Sequence, residues 1–315
     1  MIRDTRTTAD FQHFTFSGHS RKLAGKSLLE SIQLGHADYA SYWSLEMLCS
    51  GLVHSLWSTF FEAASLYVHR SCPNMFLYLM NQYERFSIIE SNFSVANMVE
   101  IRNREDARML VCETATALAT AKKQKAITLP TIKPEHDFQT TVIRENLRAT
   151  SQNAARAYTK TDDPYELAMP FNEFCFAIQT KDTSRALYWM AWILKYASVQ
   201  KKISKQTVAC GERFLDRIEK KYARNIVWLF WDVLLSKAET PHAEALMRLY
   251  CLRWDPSNSK SKLPLLLNAV VFTTETLDLT EPPKRNEMEI GLMLQRIPQW
   301  IETIQNTKNT FSSRS

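Results

Sequence analysis

Glycine is scarce in this chain, with six residues in 315, roughly a third of the average usage of about 7%. Nucleotide-binding α/β folds need glycine at tight strand-to-helix turns and wherever backbone meets phosphate. The scarcity therefore points to an all-α protein with little or no β-structure. Long apolar runs are missing too: none approaches the roughly 20 residues that cross a bilayer, so no membrane partner is expected. The first residues, "MIRDTRTTAD", carry charges of both signs with no apolar segment behind them and do not read as a signal peptide. A cytoplasmic or nuclear location is expected. Six cysteines (Cys49, Cys72, Cys112, Cys175, Cys210, Cys251) stand far apart with no CxxC pair, which argues against a zinc site and a disulfide framework alike. They are expected to be small buried hydrophobes. No two histidines fall at i and i+4, the spacing a metal-binding helix uses. No metal, cofactor or small-molecule substrate is expected.

What the sequence does contain is helical periodicity. Hydrophobic residues make up 45% and charged residues 23%, as in a globular protein. Ile32, Tyr39, Trp43 and Met47 recur at helical spacing, as do Leu56, Phe60, Ala63 and Tyr67. Windows such as "ADYASYWSLEMLC", "MFLYLMNQYERFSII", "REDARMLVCETATALATAKKQ", "TSRALYWMAWILKYA", "KQTVACGERFLDRIEKKYA", "HAEALMRLYCLRW" and "NEMEIGLMLQRIPQWIETIQ" each read as one helix. The expected organisation is an N-terminal arm (1–20), a first helical unit (21–125), a connector with a bridging polar helix "TVIRENLRATSQNAARAY" (126–164), a second helical unit (165–305) and a frayed tail (306–315).

The stretch "FTFSGHSRKLAGKSLLESIQ" resembles a strand leading into a phosphate loop. A phosphate loop needs four residues between its two glycines, so that successive backbone N–H groups curl round the β-phosphate. Ser20 stands where the first glycine belongs, Gly18 comes two positions early, and no acidic metal-binding strand follows. Lys26 and Ser27 instead open a helix, with Ser27 a candidate N-cap and Glu30 completing a capping box. Cys49-Ser50-Gly51 suggests a nucleophile, but it sits at the helix end that disfavours a thiolate.

An internal repeat supports the helical reading. Residues 27–51 lie over 173–197 without a gap, so that Ile32, Gln33, Ala40, Tyr42, Trp43 and Leu48 meet Ile178, Gln179, Ala186, Tyr188, Trp189 and Leu194. Ile32, Tyr42, Trp43 and Leu48, with Ile178, Tyr188, Trp189 and Leu194, are expected to form the structural core of the repeats, the two Trp residues at equivalent interior places; Tyr42 and Tyr188 point about 100° from them, a direction open to a partner. Glu46 meets Trp192, so the copies share no paired carboxylates. "AIQTKDTSRALYWMAWILKYA" resembles the opening of the helical C-terminal domain of AAA+ ATPases related to the Werner-helicase-interacting protein, a domain akin to the clamp-loader collar. "SIQLGHADYASYWSLEMLCSG", followed by Leu56-Trp57, is similar to an uncharacterised protein family of large nucleocytoplasmic DNA viruses. The resemblance implies two tandem collar-like units packed as one helical array, self-association or protein partners, and a place beside DNA replication or repair. For a viral protein the location would be the host cell, the viral factory or the virion. The phosphate and metal motifs of the ATPases are missing, so none of their hydrolysis carries over.

Charge gives the remaining functional signal. Net charge is +6, and residues 195–224 hold nine Lys or Arg against three acids. Arg213, Arg217, Lys220, Lys221 and Arg224 are spaced for one helix face, and Lys201, Lys202 and Lys205 precede them. Such a stripe suits sequence-nonspecific contact with a DNA backbone; a solvated face, with Glu212, Asp216 and Glu219 pairing in place, is the alternative. The reading is a non-catalytic scaffold or oligomerisation factor touching nucleic acid, against a protein-interaction adaptor or virion component that does not. On the first reading, charge reversal at Arg213, Arg217 and Lys221 leaves the melting temperature nearly unchanged.

Overall fold

The structure, a computed structural model, describes residues 1–312 and the side chains of residues 1–307. It is all-α: among the described residues the extended contacts are two isolated bridges, Phe14 with Ser20 and Ala209 with Asn225. Two compact units form, residues 1–126 with 278–315, and residues 127–277. The partition departs from the expected one at both ends of the chain. Residues 278–305 join the first unit, not the second, and residues 1–20 are part of that unit instead of a separate arm.

In the first unit, α1 (Arg21–Leu34), α2 (Ala37–Cys49), α3 (Val53–Ala63), α4 (Asn74–Glu90) and α5 (Glu105–Thr120) follow one another. Helix α2 lies at the centre, packed on α1, α3 and α5. Every residue from Ser44 to Cys49 is buried, as expected of a helix surrounded on all sides. The second unit holds the short α6 (Pro134–Asp137) and α7 (Thr140–Asn146), then α8 (Ala168–Gln179), α9 (Thr183–Ser204), α10 (Val227–Lys237), α11 (His242–Cys251) and α12 (Ser259–Thr274). Residues 265–272 of α12 are all buried, and that helix packs on α8, α9, α10 and α11. The chain then returns to the first unit as α13 (Glu287–Gln295) and α14 (Ile297–Ser312), which pack on α2 and α5.

Three local expectations change. Helix α1 begins at Arg21, where Ser20 Oγ accepts the Leu23 N–H at 3.2 Å, so Gly25, Lys26 and Ser27 are mid-helix and Ser27 is no cap. The bridging helix stops at Asn146 because the N–H groups of Arg148 and Ala149 donate to the buried Glu173 carboxylate (2.8–3.0 Å) instead of continuing the helical ladder. The expected final helix is two: it breaks at Arg296, just before Pro298, which lacks the donor an uninterrupted helix needs there. Helix α14 runs on through most of the expected tail, whose last residues, 313–315, lie outside the described residues.

The repeat exists as one matched helical hairpin in each unit. Gly35 N–H donates to Ile32 O at 3.2 Å and His36 N–H to Ser31 O at 2.9 Å; 146 residues on, Lys181 N–H donates to Ile178 O at 3.2 Å and Asp182 N–H to Ala177 O at 2.9 Å. Both turns are therefore Schellman motifs, with left-handed Gly35 (φ 78°) and Lys181 (φ 56°) in the same place. Tyr42 meets Trp43 edge-on at 5.3 Å and 79°, and Tyr188 meets Trp189 at 5.2 Å and 80°. Beyond this the copies diverge. Trp189 is fully buried, but Trp43 is only half-buried, against His19 at 5.1 Å. The two Trp residues thus do not occupy equivalent interior places. Ile32, Leu48 and Ile178 are core as expected, while Leu194, Tyr42 and Tyr188 are half-buried. Position 46 is a buried glutamate in one copy and position 192 a buried tryptophan in the other, which changes what each hairpin packs against.

Candidate functional site

The expected basic helix is absent. Helix α9 ends at Ser204, Lys205 turns left-handed, and residues 206–219 form no helix. A bridge of Ala209 to Asn225 folds the segment back on itself, with Cys210 N–H donating to Arg224 O at 2.8 Å and Arg213 N–H to Ala223 O at 3.0 Å. The cause is Arg213, which is 4% exposed and uses its whole guanidinium inside the unit. It forks onto Asp163 at 2.9 and 2.8 Å and reaches Asp232 at 3.0 Å, Tyr158 O at 2.7 Å and Gly211 O at 2.8 Å. Burial alone would raise the Asp163 carboxyl, but hydrogen bonds from Arg213 and from the Lys160 and Gly211 N–H groups outweigh it and hold the group below the ordinary range. At Gly211 a Cβ would stand 2.9 Å from the Lys160 Cβ, so the position requires glycine.

The other expected contacts are scattered. Arg217 pairs with Glu244 at 2.7 Å, Lys221 with Glu219 at 2.7 Å and Arg224 with Asp162 at 3.4 Å. Lys220 is exposed. Lys201, Lys202 and Lys205 are exposed together at the C-terminal end of α9, where cations complement the helix dipole. The structure therefore separates the expected basic residues into a buried structural arginine, three surface ion pairs, exposed Lys220 and an exposed lysine group at the end of α9.

The second unit carries a feature that spacing did not indicate: an open cavity of about 460 Å³ between the extended segment 129–132, α9, α10, α11 and the first turn of α12. Its wall is apolar, with Ile132, Ala191, Leu194, Val227 and Leu263 among the lining side chains. Tyr250, 1% exposed, also lines it, set within the rings of Trp228, Trp231 and Trp254. Burial pushes the Tyr250 phenol up, so it remains a neutral donor. The Trp254 indole N–H lies beside that phenol yet completes no hydrogen bond. The polar rim is cationic: Lys195 of α9 and Lys260 of α12, with Ser198 and Ser259. Residues 195, 198 and 202 share a face of α9, so Lys202 continues this rim along the helix. Lys262 is engaged elsewhere; its ammonium caps α11 through Leu249 O at 3.0 Å and Leu252 O at 2.6 Å, and burial pulls it down to about 8.

The first unit has a cavity of about 620 Å³ beside Arg21, Gly51 and His54. Its polar groups are already engaged, Arg21 with Gln12 O at 3.1 Å and His54 with Glu90 at 3.6 Å. Buried Glu46 is a staple: it accepts the Ser17 N–H and hydroxyl, each at 2.8 Å, and the same hydroxyl reaches Ile304 O at 3.2 Å. Cys49 is wholly buried and pushed up to about 12, first by burial and then by Glu46, which keeps it a neutral thiol. Five of the cysteines are buried and Cys251 is half-buried. Among the described residues no cluster of three metal-ligating side chains occurs and no helix is long and apolar enough to cross a membrane.

Comparison of the chain with family models, with curated proteins and with solved structures finds no match.

Proposed function

We propose that this chain is a non-catalytic helical interaction module that binds an acidic partner polypeptide through the cavity of its second unit. The observation that carries the reading is the combination, in one place, of an apolar wall with a cationic rim and no carboxylate among the lining residues. Apolar side chains of the partner would leave water for the wall, and its acidic residues would meet Lys195 and Lys260. Charge at the rim of an interface chiefly steers association and selects partners; apolar burial supplies most of the affinity. Resemblance to a collar-like oligomerisation domain and to a viral family is compatible with such a module and fits the matched hairpins. The nucleic-acid reading has weaker support, because Arg213, Arg217, Lys221 and Arg224 are engaged by carboxylates of the same unit.

Selection from a displayed peptide library tests this. Sequences combining acidic and large apolar residues should be enriched on the native protein and lost on Leu194→Trp, which fills the cavity, and on Lys195→Glu. No enrichment, or enrichment indifferent to both substitutions, contradicts the proposal. Salt-sensitive DNA retention that disappears in a Lys201→Glu, Lys202→Glu, Lys205→Glu variant, together with an empty peptide selection, would replace it with the nucleic-acid reading.

A further inference from the structure

We infer that the outward face of α13 is a self-association surface, where two copies of this chain pair antiparallel about a two-fold axis beside Gly291 and Leu292. The surface belongs to the first unit and does not depend on the cavity of the second. Helix α13 buries Ile290 and Met293 in its own unit, 6% and 5% exposed. On the opposite face Met288 is 80% exposed and Leu292, one turn on, is 49% exposed. A single exposed apolar residue means little; here two stand together, with Gly291 beside them. Glycine in the middle of a helix is destabilising relative to alanine, and the chain has only six glycines. Among the described residues nothing lies within 4 Å of where a Cβ at 291 would stand. The fold of one copy therefore leaves room for a side chain there and gives no reason for its lack. Close approach of another backbone does, because the distance between packed helix axes is set by the side chains at the contact.

Charge selects the occupant and its direction. Glu287 and Glu289 stand in the first turn of α13, and Arg296 caps its other end with the guanidinium over the Trp300 ring at 5.1 Å. The charges just before the helix are paired, Lys284 with Glu113 at 2.7 Å and Arg285 with Glu281 at 3.5 Å. Among the described residues Glu289 and Arg296 belong to no ion pair. Seven residues apart, these two lie on one flank of the exposed stripe. Such a face is complementary to itself. When a second copy is laid on it antiparallel, Glu289 of each copy faces Arg296 of the other and the helix dipoles oppose. Leu292 then meets its own counterpart at the axis, and Met288 of each copy covers Gln295 of the other. A parallel arrangement would set like charges together. This is the isologous contact of a two-fold dimer, and one nine-residue helix per copy places it among the small, reversible interfaces. A dimer carries two copies of the second unit and so two of the proposed binding cavities.

Sedimentation velocity of the full chain over a rising concentration series tests this. A reversible equilibrium between monomer and dimer is expected. Glu289→Arg and Arg296→Glu should each weaken it by at least about tenfold, since each substitution turns two attractive pairs into two repulsive ones. An equimolar mixture of these two variants should recover the dimer, because every contact between positions 289 and 296 is then between opposite charges. A variant carrying both substitutions should recover it by itself. Gly291→Leu should abolish the dimer without lowering the melting temperature. Monomer at every concentration overturns the inference. So does a dimer that survives Gly291→Leu, or one that the charge variants weaken without recovery on mixing. A dimer abolished by Leu194→Trp but indifferent to these three substitutions also overturns it, and would make a second copy the occupant of the cavity instead.

Discussion

Arg213 shows how differently one side chain reads in sequence and in space. As one member of a basic run it suggests a phosphate contact; buried between Asp163 and Asp232 it is a structural brace. Charge reversal there is therefore not silent. Arg213→Ala should lower the stability of the second unit by roughly 3–5 kcal/mol, because the buried Asp163 carboxylate loses its cation, half-exposed Asp232 adding less; urea unfolding at neutral pH reads this directly. The pH dependence follows from Asp163. Its pKa lies below the ordinary 3.8 in the folded chain, so its stabilising contribution is complete above that value and is lost as the pH falls through the lower folded value. The acid-induced loss should be smaller in Arg213→Ala, which has already forfeited the pair. A second contrast is between the paired tryptophans. Trp189→Ala should cost about 3–5 kcal/mol, as for other fully buried aromatics. Half-buried Trp43 should cost about 1–2 kcal/mol, in proportion to the smaller area it removes from water. Equal thermal shifts in the two variants would contradict the difference in burial.

At the level of elements, most helices were legible because an apolar face at 3.6-residue spacing is a strong local signal; α2, α5 and α11 fall within windows that read as helical, and α4 exceeds its window by one residue at each end. Segments whose backbone is claimed by distant groups were not legible. Glu173 captures the N–H groups of residues 148 and 149 from about 25 residues away, and Arg213 ties its own segment to Asp163, 50 residues earlier. Charge spacing of 4, 3, 1 and 3 fits a helix, but nothing local records that the first member is buried. The candidate cavity was invisible for the same reason: its wall draws on five separated stretches between residues 129 and 263. The matched turns were half visible. Residue identities showed the repeat, yet Gly35 and Lys181 share a left-handed conformation that only the first residue type announces. Lys181→Gly should therefore stabilise the second unit by about 1 kcal/mol, the cost of holding a side-chain-bearing residue left-handed, with thermal unfolding as the readout.

Across the whole molecule, the first unit is closed by both ends of the chain. Ser17 in the N-terminal segment bonds to Glu46 of α2 and to Ile304 of α14, and Ile290, Met293, Trp300 and Ile304 are buried in that unit. A chain ending at Leu277 should consequently lose the cooperative unfolding of the first unit and expose apolar surface to a dye such as ANS; unchanged melting would show that the closing helices are dispensable. The second unit, a continuous stretch of chain, carries the proposed binding function in the cavity between its helices. Backbone amide shifts of isotope-labelled protein during titration with the tightest peptide selected from the displayed library test that claim most directly. Saturable changes centred on Leu194, Lys195, Ser198, Ser259 and Lys260 are expected. Changes centred on Arg21 and His54 of the first unit, or none at saturating peptide, would contradict it.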